Sequence, residues 1–154
     1  MRKMKWLTVV LAVVAVMAIT ACGGKKADFD VATLGNDLAT KITYEDELAP
    51  MDLDLAGMLL NLSDLNVTKA AIYEGSGATA EEIIVFECAS EDDAKKAEQV
   101  LKARVSEQIE SFTDYVPAEL TKLNAAVIKV SGKYAVLSVS GSPEEAKKII
   151  DSYM

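Results

Sequence analysis

A Gly-Ser-Gly segment, made of Gly75, Ser76 and Gly77, has the residue types that come nearest to a site. Successive backbone N–H groups in such a segment can form a nest that binds an anion. The Ser76 hydroxyl could instead act as a nucleophile, which requires a base beside it. Because the sequence contains no histidine, that base would be a lysine such as Lys129 or Lys133. The third and simplest interpretation is a plain connection between two strands.

The absence of histidine restricts the chemistry open to the whole chain. Ser-His-Asp and Cys-His catalysis need an imidazole, and so do many zinc sites. Asp52, Asp54 and Gly57 resemble the start of a calcium loop, but Ala56 occupies the fifth ligand position and Ser63 stands in place of the bidentate glutamate. The sequence therefore predicts no catalytic constellation and no metal site.

Cys88 and three tyrosines are further candidates. Cys88 follows the apolar run at residues 83–86, where a free cysteine usually packs as a small apolar side chain and thiol chemistry is the alternative. Tyr73, Tyr115 and Tyr134 could line a ligand pocket, although a tyrosine on a half-buried strand usually serves packing.

The start of the chain has the order of an export signal. A basic segment at residues 1–5 precedes an apolar segment at residues 6–18 that is interrupted only by Thr8. A membrane-spanning helix needs roughly 20 apolar residues, and this segment is shorter. A secretory signal is therefore the favoured interpretation of residues 1–21.

Residues 19–22, Ile-Thr-Ala-Cys, resemble the lipobox of bacterial lipoproteins. The resemblance implies cleavage after residue 21 and a diacylglycerol on the sulfur of Cys22. Two acyl chains give stable anchoring, whereas one gives only marginal membrane binding. The expected partner is therefore the lipid bilayer, at the extracytoplasmic face of the cell membrane. An ordinary secretory signal and an uncleaved anchor remain alternatives.

The composition of the mature chain limits its partners. Removal of residues 1–21 takes away three of the 16 basic side chains and none of the 24 acids, which leaves 13 basic side chains and a formal charge of −11. Such a chain does not suit nucleic acid, whose phosphates require clustered Lys and Arg. Residues 22–27 form a short tether, and its last five residues reach only about 17 Å when extended. Residues 28–154 suit a single domain, which must sit close to the bilayer.

Hydrophobic periodicity predicts the elements of that domain. A helix is expected near residues 30–41 and a second, shorter helix after Pro50. We then expect strands at 69–74 and 82–88, a long helix at 91–113, strands at 125–131 and 133–140, and a last helix that begins after Ser142.

This order predicts an α+β fold with a four-stranded antiparallel sheet, built from two strand-strand-helix units, with additional N-terminal helices. Strand 82–88 is apolar on both faces and should be central. The helices of the two units should cover one face and the N-terminal helices the other. The helix starts at Ser90 and Ser142 match at an offset of 52 residues, which leaves a duplication possible.

Three segments carry a family resemblance: residues 72–83 (IYEGSGATAEEI), residues 112–117 (FTDYVP) and residues 130–134 (VSGKY). With them, the chain from residue 71 onward resembles a family of small bacterial lipoproteins that carry a domain of unknown function. The resemblance implies no established activity, cofactor or catalytic residue. We expect a non-catalytic binding or accessory module at the cell envelope, with its ligand or protein partner unknown. The alternative is an envelope enzyme that uses carboxylates or a Ser-Lys pair.

Overall fold

The computed structural model describes residues 26–154, so the predicted signal peptide and Cys22 lie outside the described residues. Five strands form one antiparallel sheet in the order β1-β2-β3-β5-β4. The elements are α1 (Val31–Lys41), β1 (Ala49–Pro50), α2 (Leu53–Leu59), β2 (Val67–Glu74), β3 (Glu82–Cys88), α3 (Glu91–Tyr115), a 3-10 turn (Pro117–Glu119), α4 (Leu120–Asn124), β4 (Val127–Ser131), β5 (Tyr134–Val139) and α5 (Pro143–Asp151).

Within residues 26–154, no helix is both long enough and apolar enough to cross a membrane.

The predicted α+β class and antiparallel sheet are confirmed, and the predicted strands agree with the observed ones to within two residues. The prediction of four strands was wrong, because β1 adds a fifth. β1 is a two-residue edge strand in which Ala49 pairs with Glu74 and Pro50 with Tyr73. So short a strand has no periodicity to detect, and a proline is tolerated there because the strand lies at the edge of the sheet.

Two hydrophobic clusters cover the two faces of the sheet. On one face, Ile84 and Phe86 of β3 belong to a cluster with Leu101 of α3, which we call the α3 face. On the other face, Ile83 and Val85 pack with side chains of α1 and α5. The expectation that the helices of both strand-strand-helix units share a face was therefore wrong, since α3 and α5 lie on opposite faces. The five-stranded sheet and both clusters are formed by residues 26–154.

The placement of α3 and α5 also decides the question of duplication. β3 and β5 are the second strands of the two units, and they are antiparallel neighbours in the sheet. Two copies of one unit in this arrangement would be related by a twofold axis normal to the sheet. Such an axis does not exchange the faces of the sheet, so both helices would lie on the same face. Helices on opposite faces make the two units opposite in hand. The capping differs as well, because Ser90 accepts a hydrogen bond from Asp93 N–H whereas Ser142 makes no side-chain cap. The similarity is one of helix starts and not of a repeated structure.

Helix α1 approaches the sheet closely at Gly35. A Cβ atom placed there would lie 2.7 Å from Ala71 Cβ and 3.1 Å from Tyr73 Cε2. Gly57 in α2 has the opposite surroundings, because nothing lies within 4 Å of a Cβ atom at that position. Only the first glycine is required by packing.

We predict opposite effects for two identical substitutions. Gly57→Ala should raise the free energy of unfolding by roughly 0.5–1 kcal/mol, since alanine loses less backbone entropy in a helix. Gly35→Ala should lower it, because overpacking typically costs about 1–3 kcal/mol and exceeds the same helical gain. Urea denaturation measures both. Gly35→Ala combined with Ala71→Gly should recover part of the loss, and a stabilising Gly35→Ala would contradict the close packing of α1 on β2.

Candidate functional site

The Gly75–Gly77 segment lies in the connection between β2 and β3, and an acid from the chain occupies it. Asp46 Oδ2 accepts hydrogen bonds from Ser76 N–H at 2.7 Å and from Ser76 Oγ at 2.6 Å. These bonds hold the pKa of Asp46 below its ordinary value. A Cβ atom on Gly75 would lie 2.8 Å from Asp46 Oδ2, so any other residue at position 75 would make this carboxylate shift. The backbone of Gly77 has φ +88°, which also favours glycine.

The structure does not bring the candidate lysines to Ser76. Lys129 Nζ lies 2.6 Å from Asp151 Oδ1, and Lys133 Nζ lies 2.6 Å from Glu87 Oε1. Glu87 is near the end of β3 that is remote from the Gly75–Gly77 segment. The Ser76 hydroxyl therefore donates to a carboxylate and has neither of these amines beside it, and an anion bound at Ser76 N–H would have to displace Asp46.

A buried ion cluster lies behind this segment. Glu81 Oε2 accepts hydrogen bonds from the N–H groups of Glu45 (2.9 Å) and Asp46 (3.0 Å). Lys122 Nζ lies 3.1–3.2 Å from carboxylate oxygens of Glu45, Glu81 and Glu119. The side chains of Glu81, Glu119 and Lys122 are nearly inaccessible to solvent. The cluster thus joins three segments of the chain that are far apart in sequence, and sequence reasoning missed it.

The electrostatics of this cluster decide what Lys122 can do. Burial alone would lower the pKa of Lys122, but the three surrounding carboxylates outweigh burial and raise it above the ordinary value. An ammonium that keeps its proton at neutral pH cannot accept another from a nucleophile. The arrangement suits a structural ion cluster better than a general base.

A second buried ion cluster joins α3 to the end of the sheet. Arg104 Nη2 lies 2.6 Å from Glu74 Oε1 and 3.0 Å from Glu82 Oε2, and Arg104 Nε donates to Glu82 Oε2 at 3.1 Å. Glu82 is fully buried. Burial raises the pKa of Glu82 to about 8, because it outweighs the lowering effect of Arg104.

An open cleft of about 340 Å³ lies between the Gly75–Gly77 segment and the C-terminal half of α3. Met51 and Leu59 contribute apolar surface, and Tyr115, with 68% of its surface exposed, stands at the end of α3. The cleft is also lined by Glu74, Thr79, Arg104, Gln108, Ser111 and Phe112. Its mixture of an exposed aromatic ring, hydroxyl and amide groups is suited to binding.

The structure does not bring the three candidate tyrosines together. Tyr115 lines the cleft, whereas Tyr134 is buried and its ring stacks on Phe29 with centroids 4.1 Å apart. Tyr73 is half-buried and packs with the side chains of the α1 and α5 face. Two of the three tyrosines thus serve the core.

Cys88 and the calcium-like segment have structural positions. Cys88 is buried on the α3 face, and burial raises the pKa of its thiol to about 11, which suppresses the reactive thiolate. Asp52 is the N-cap residue of α2, and Asp54 lies in its first turn. Among residues 26–154, no group of three or more His, Cys, Asp or Glu side chains is arranged to hold a metal ion.

Glu82 should make stability depend on pH in an unusual direction. An ordinary glutamate has a pKa near 4.5, so between pH 4.5 and about 8 the folded protein holds the Glu82 proton more tightly than the unfolded chain does. The contribution of this carboxyl to the free energy of unfolding therefore falls as pH rises through that window. Glu82→Gln should remove this contribution and flatten the pH dependence.

The measurement is urea denaturation at several pH values from 5 to about 8. Glu110→Gln, which changes an exposed acid of α3, is the matched control and should keep the parent's dependence. A Glu82→Gln protein with the parent's dependence would show that Arg104 keeps Glu82 ionised in the folded state.

Comparison with known proteins gives one family. A search of curated proteins found no match, and a search of solved structures found none. The model of a domain of unknown function, DUF4358, matches residues 47–140, which is more than half of the chain. The matched segment contains all five strands, α2, α3 and α4. The chain belongs to the DUF4358 family of domains of unknown function.

Proposed function

We propose that this protein is a bacterial lipoprotein that works as a non-catalytic binding module, anchored by diacylglycerol on Cys22 at the extracytoplasmic face of the membrane. The basic start, the apolar segment and the lipobox-like residues 19–22 support the anchor. The surroundings of Ser76 and Lys122 support a binding role, because the hydroxyl donates to Asp46 and the ammonium is held in its charged form.

The observation that carries the proposal is that Lys26, where the described chain begins, and the cleft lie at opposite ends of α3. Lys26, four residues after Cys22, forms an ion pair of 3.0 Å with Glu91 in the first turn of α3. Tyr115, at the other end of this 25-residue helix, lines the cleft. A helix of that length spans about 36 Å at about 1.5 Å per residue.

With this geometry, the lipid anchor would orient the domain on the membrane. A tether that reaches only about 17 Å holds the start of α3 near the headgroups. The cleft beside the Gly75–Gly77 segment then faces away from the bilayer, where a ligand or partner has access to it. A domain held this way presents one defined end to the envelope.

The anchor is tested by changing Cys22→Ala. The protein should leave the membrane fraction and should appear in the medium or as an uncleaved precursor without the mass of the lipid. Cys88→Ala is the matched control and should remain with the membrane, since Cys88 is buried in the core. Membrane retention of the Cys22→Ala protein with an unchanged mature mass would refute lipidation.

The orientation is tested by attaching a fluorophore at Asp92→Cys or at Ser111→Cys in the anchored protein. Both positions are exposed, and they lie near opposite ends of α3. Energy transfer to an acceptor dye on the lipid headgroups should be strong from position 92 and weak from position 111, since the two are separated by about 28 Å along the helix. Buried Cys88 should not react. Equal transfer from both positions would mean that α3 lies flat on the membrane.

A further inference from the structure

The cleft is one end of a longer groove between α2 and α3. A depression of about 510 Å³ beside Lys96 adjoins a second of about 220 Å³, with Asn61 and Val100 lining both. The second adjoins the cleft, with Leu59 and Arg104 lining both. We call the three together the α2–α3 groove. It follows α3 from Lys96 to Tyr115, which is about 28 Å at about 1.5 Å per residue.

Exposed apolar side chains are concentrated beside the α2–α3 groove. Among residues 26–154, the large apolar side chains that are exposed are Leu55, Met58, Leu59 and Tyr115. The first three belong to α2 and the last to α3, the two helices that flank the groove. Met58 has 82% of its surface exposed. Leu59 and Tyr115 line the groove itself, and Leu55 and Met58 lie on α2 outside its lining. An exposed apolar patch is typical of a surface that binds another molecule.

A row of carboxylates borders the same groove. Glu107 lines it, and Glu110 and Asp114 follow three and seven residues later, so all three lie along one side of α3. All three are exposed, and none forms an ion pair with a cation within the part of the chain that the structure describes.

The basic side chains in the groove do not offset this row. Lys96 pairs with Asp93 at 3.5 Å, and Arg104 is shared between two carboxylates. The groove therefore combines an apolar floor with an acidic rim whose three carboxylates form no ion pair among the described residues.

We propose that the α2–α3 groove binds a basic amphipathic helix of a partner protein. This inference rests on the proposed binding role and names the class of partner. A groove of about 28 Å matches a helix of about 19 residues. The apolar stripe of such a helix would cover Leu59, Met58 and Tyr115. Lysines or arginines at intervals of three and four residues would face the row formed by Glu107, Glu110 and Asp114.

Two other occupants are disfavoured by charge. A symmetric contact with a second copy of this chain would place the two carboxylate rows near each other, because a twofold interface uses the same patch on both copies. An anionic bilayer surface would likewise be repelled by the acidic rim. A cationic peptide face is complementary to it.

The probe is a synthetic 18-residue peptide of leucine and lysine. Its leucines repeat at alternating intervals of three and four residues, so that they form one stripe along the helix, and lysines occupy the other positions. The protein is the mature chain from residue 22 with Cys22→Ser, and affinity is measured by fluorescence anisotropy at low and moderate salt. We expect one peptide per protein. A peptide with glutamate in place of lysine should not bind, and a scrambled leucine-lysine peptide without an apolar stripe should bind at least tenfold more weakly.

Two variants locate the binding surface, and circular dichroism checks that each is folded. Glu107→Lys combined with Glu110→Lys should weaken binding at least tenfold, and so should Leu59→Ser, which removes an apolar side chain from the lining of the groove without changing its charge. Glu144→Lys combined with Glu145→Lys changes the net charge equally on α5, on the other face of the sheet, and should bind nearly as the parent does. Equal losses in both double variants would mean that net charge alone attracts the peptide, and would overturn the proposal.

The two proposals fail separately. Absence of peptide binding, or dimerisation through Met58 in analytical ultracentrifugation, would overturn the groove inference while the Cys22→Ala fractionation still stood. Membrane retention of Cys22→Ala would overturn the anchor while specific peptide binding still supported the groove.

Discussion

Strand β3 is buried along its whole length, and this imposes the remaining architecture. All seven residues of β3 are inaccessible to solvent. Its side chains alternate between the two faces, so each face needs a cover of its own. Helix α3 supplies one cover, and α1 and α5 supply the other. A strand with one face in water would have needed helices on its other face only.

Acids at the ends of this strand create the ion clusters. Glu82 and Glu87 begin and nearly end β3, and Glu81 precedes it. A buried carboxylate must find a partner or bind a proton, since its desolvation is costly. Glu87 has Lys69 and Lys133, Glu82 has Arg104, and Glu81 has Lys122. The ion clusters of Glu81 and Glu82 lie beside the Gly75–Gly77 segment. They join this end of the sheet to α3, through Arg104, and to the turn after α3, through Glu119 and Lys122. A pre-formed segment is the result, and a pre-formed surface loses less entropy when it binds.

The sequence was informative where a pattern is local. The apolar run at residues 83–86 predicted a central strand, and the acids after Ser90 predicted the start of α3, which the structure confirms. The sequence was uninformative where partners converge from distant segments. Asp46 lies 30 residues from Ser76, and Arg104 lies 22 residues from Glu82, so no spacing rule links them. The face chosen by α5 was missed for a related reason: an amphipathic stripe shows that a helix is half-buried and does not show which side of the sheet it covers.

The family match covers the elements of the α3 face and leaves out the two helices that cover the other face. Residues 47–140 contain the sheet, α3 and the whole α2–α3 groove, whereas α1 and α5 lie outside the match. The helices outside the match close the second face with their own apolar side chains, including Leu38 and Ile150. On the α3 face, the short helix α2 buries Ala56 but leaves Met58 in solvent. One face of the sheet is thus completed by the ends of the described chain, and the other keeps an apolar groove with an acidic rim. The difference comes from the covering helices: α1 and α5 turn their apolar side chains into the core, whereas α2 keeps Leu55, Met58 and Leu59 in contact with water.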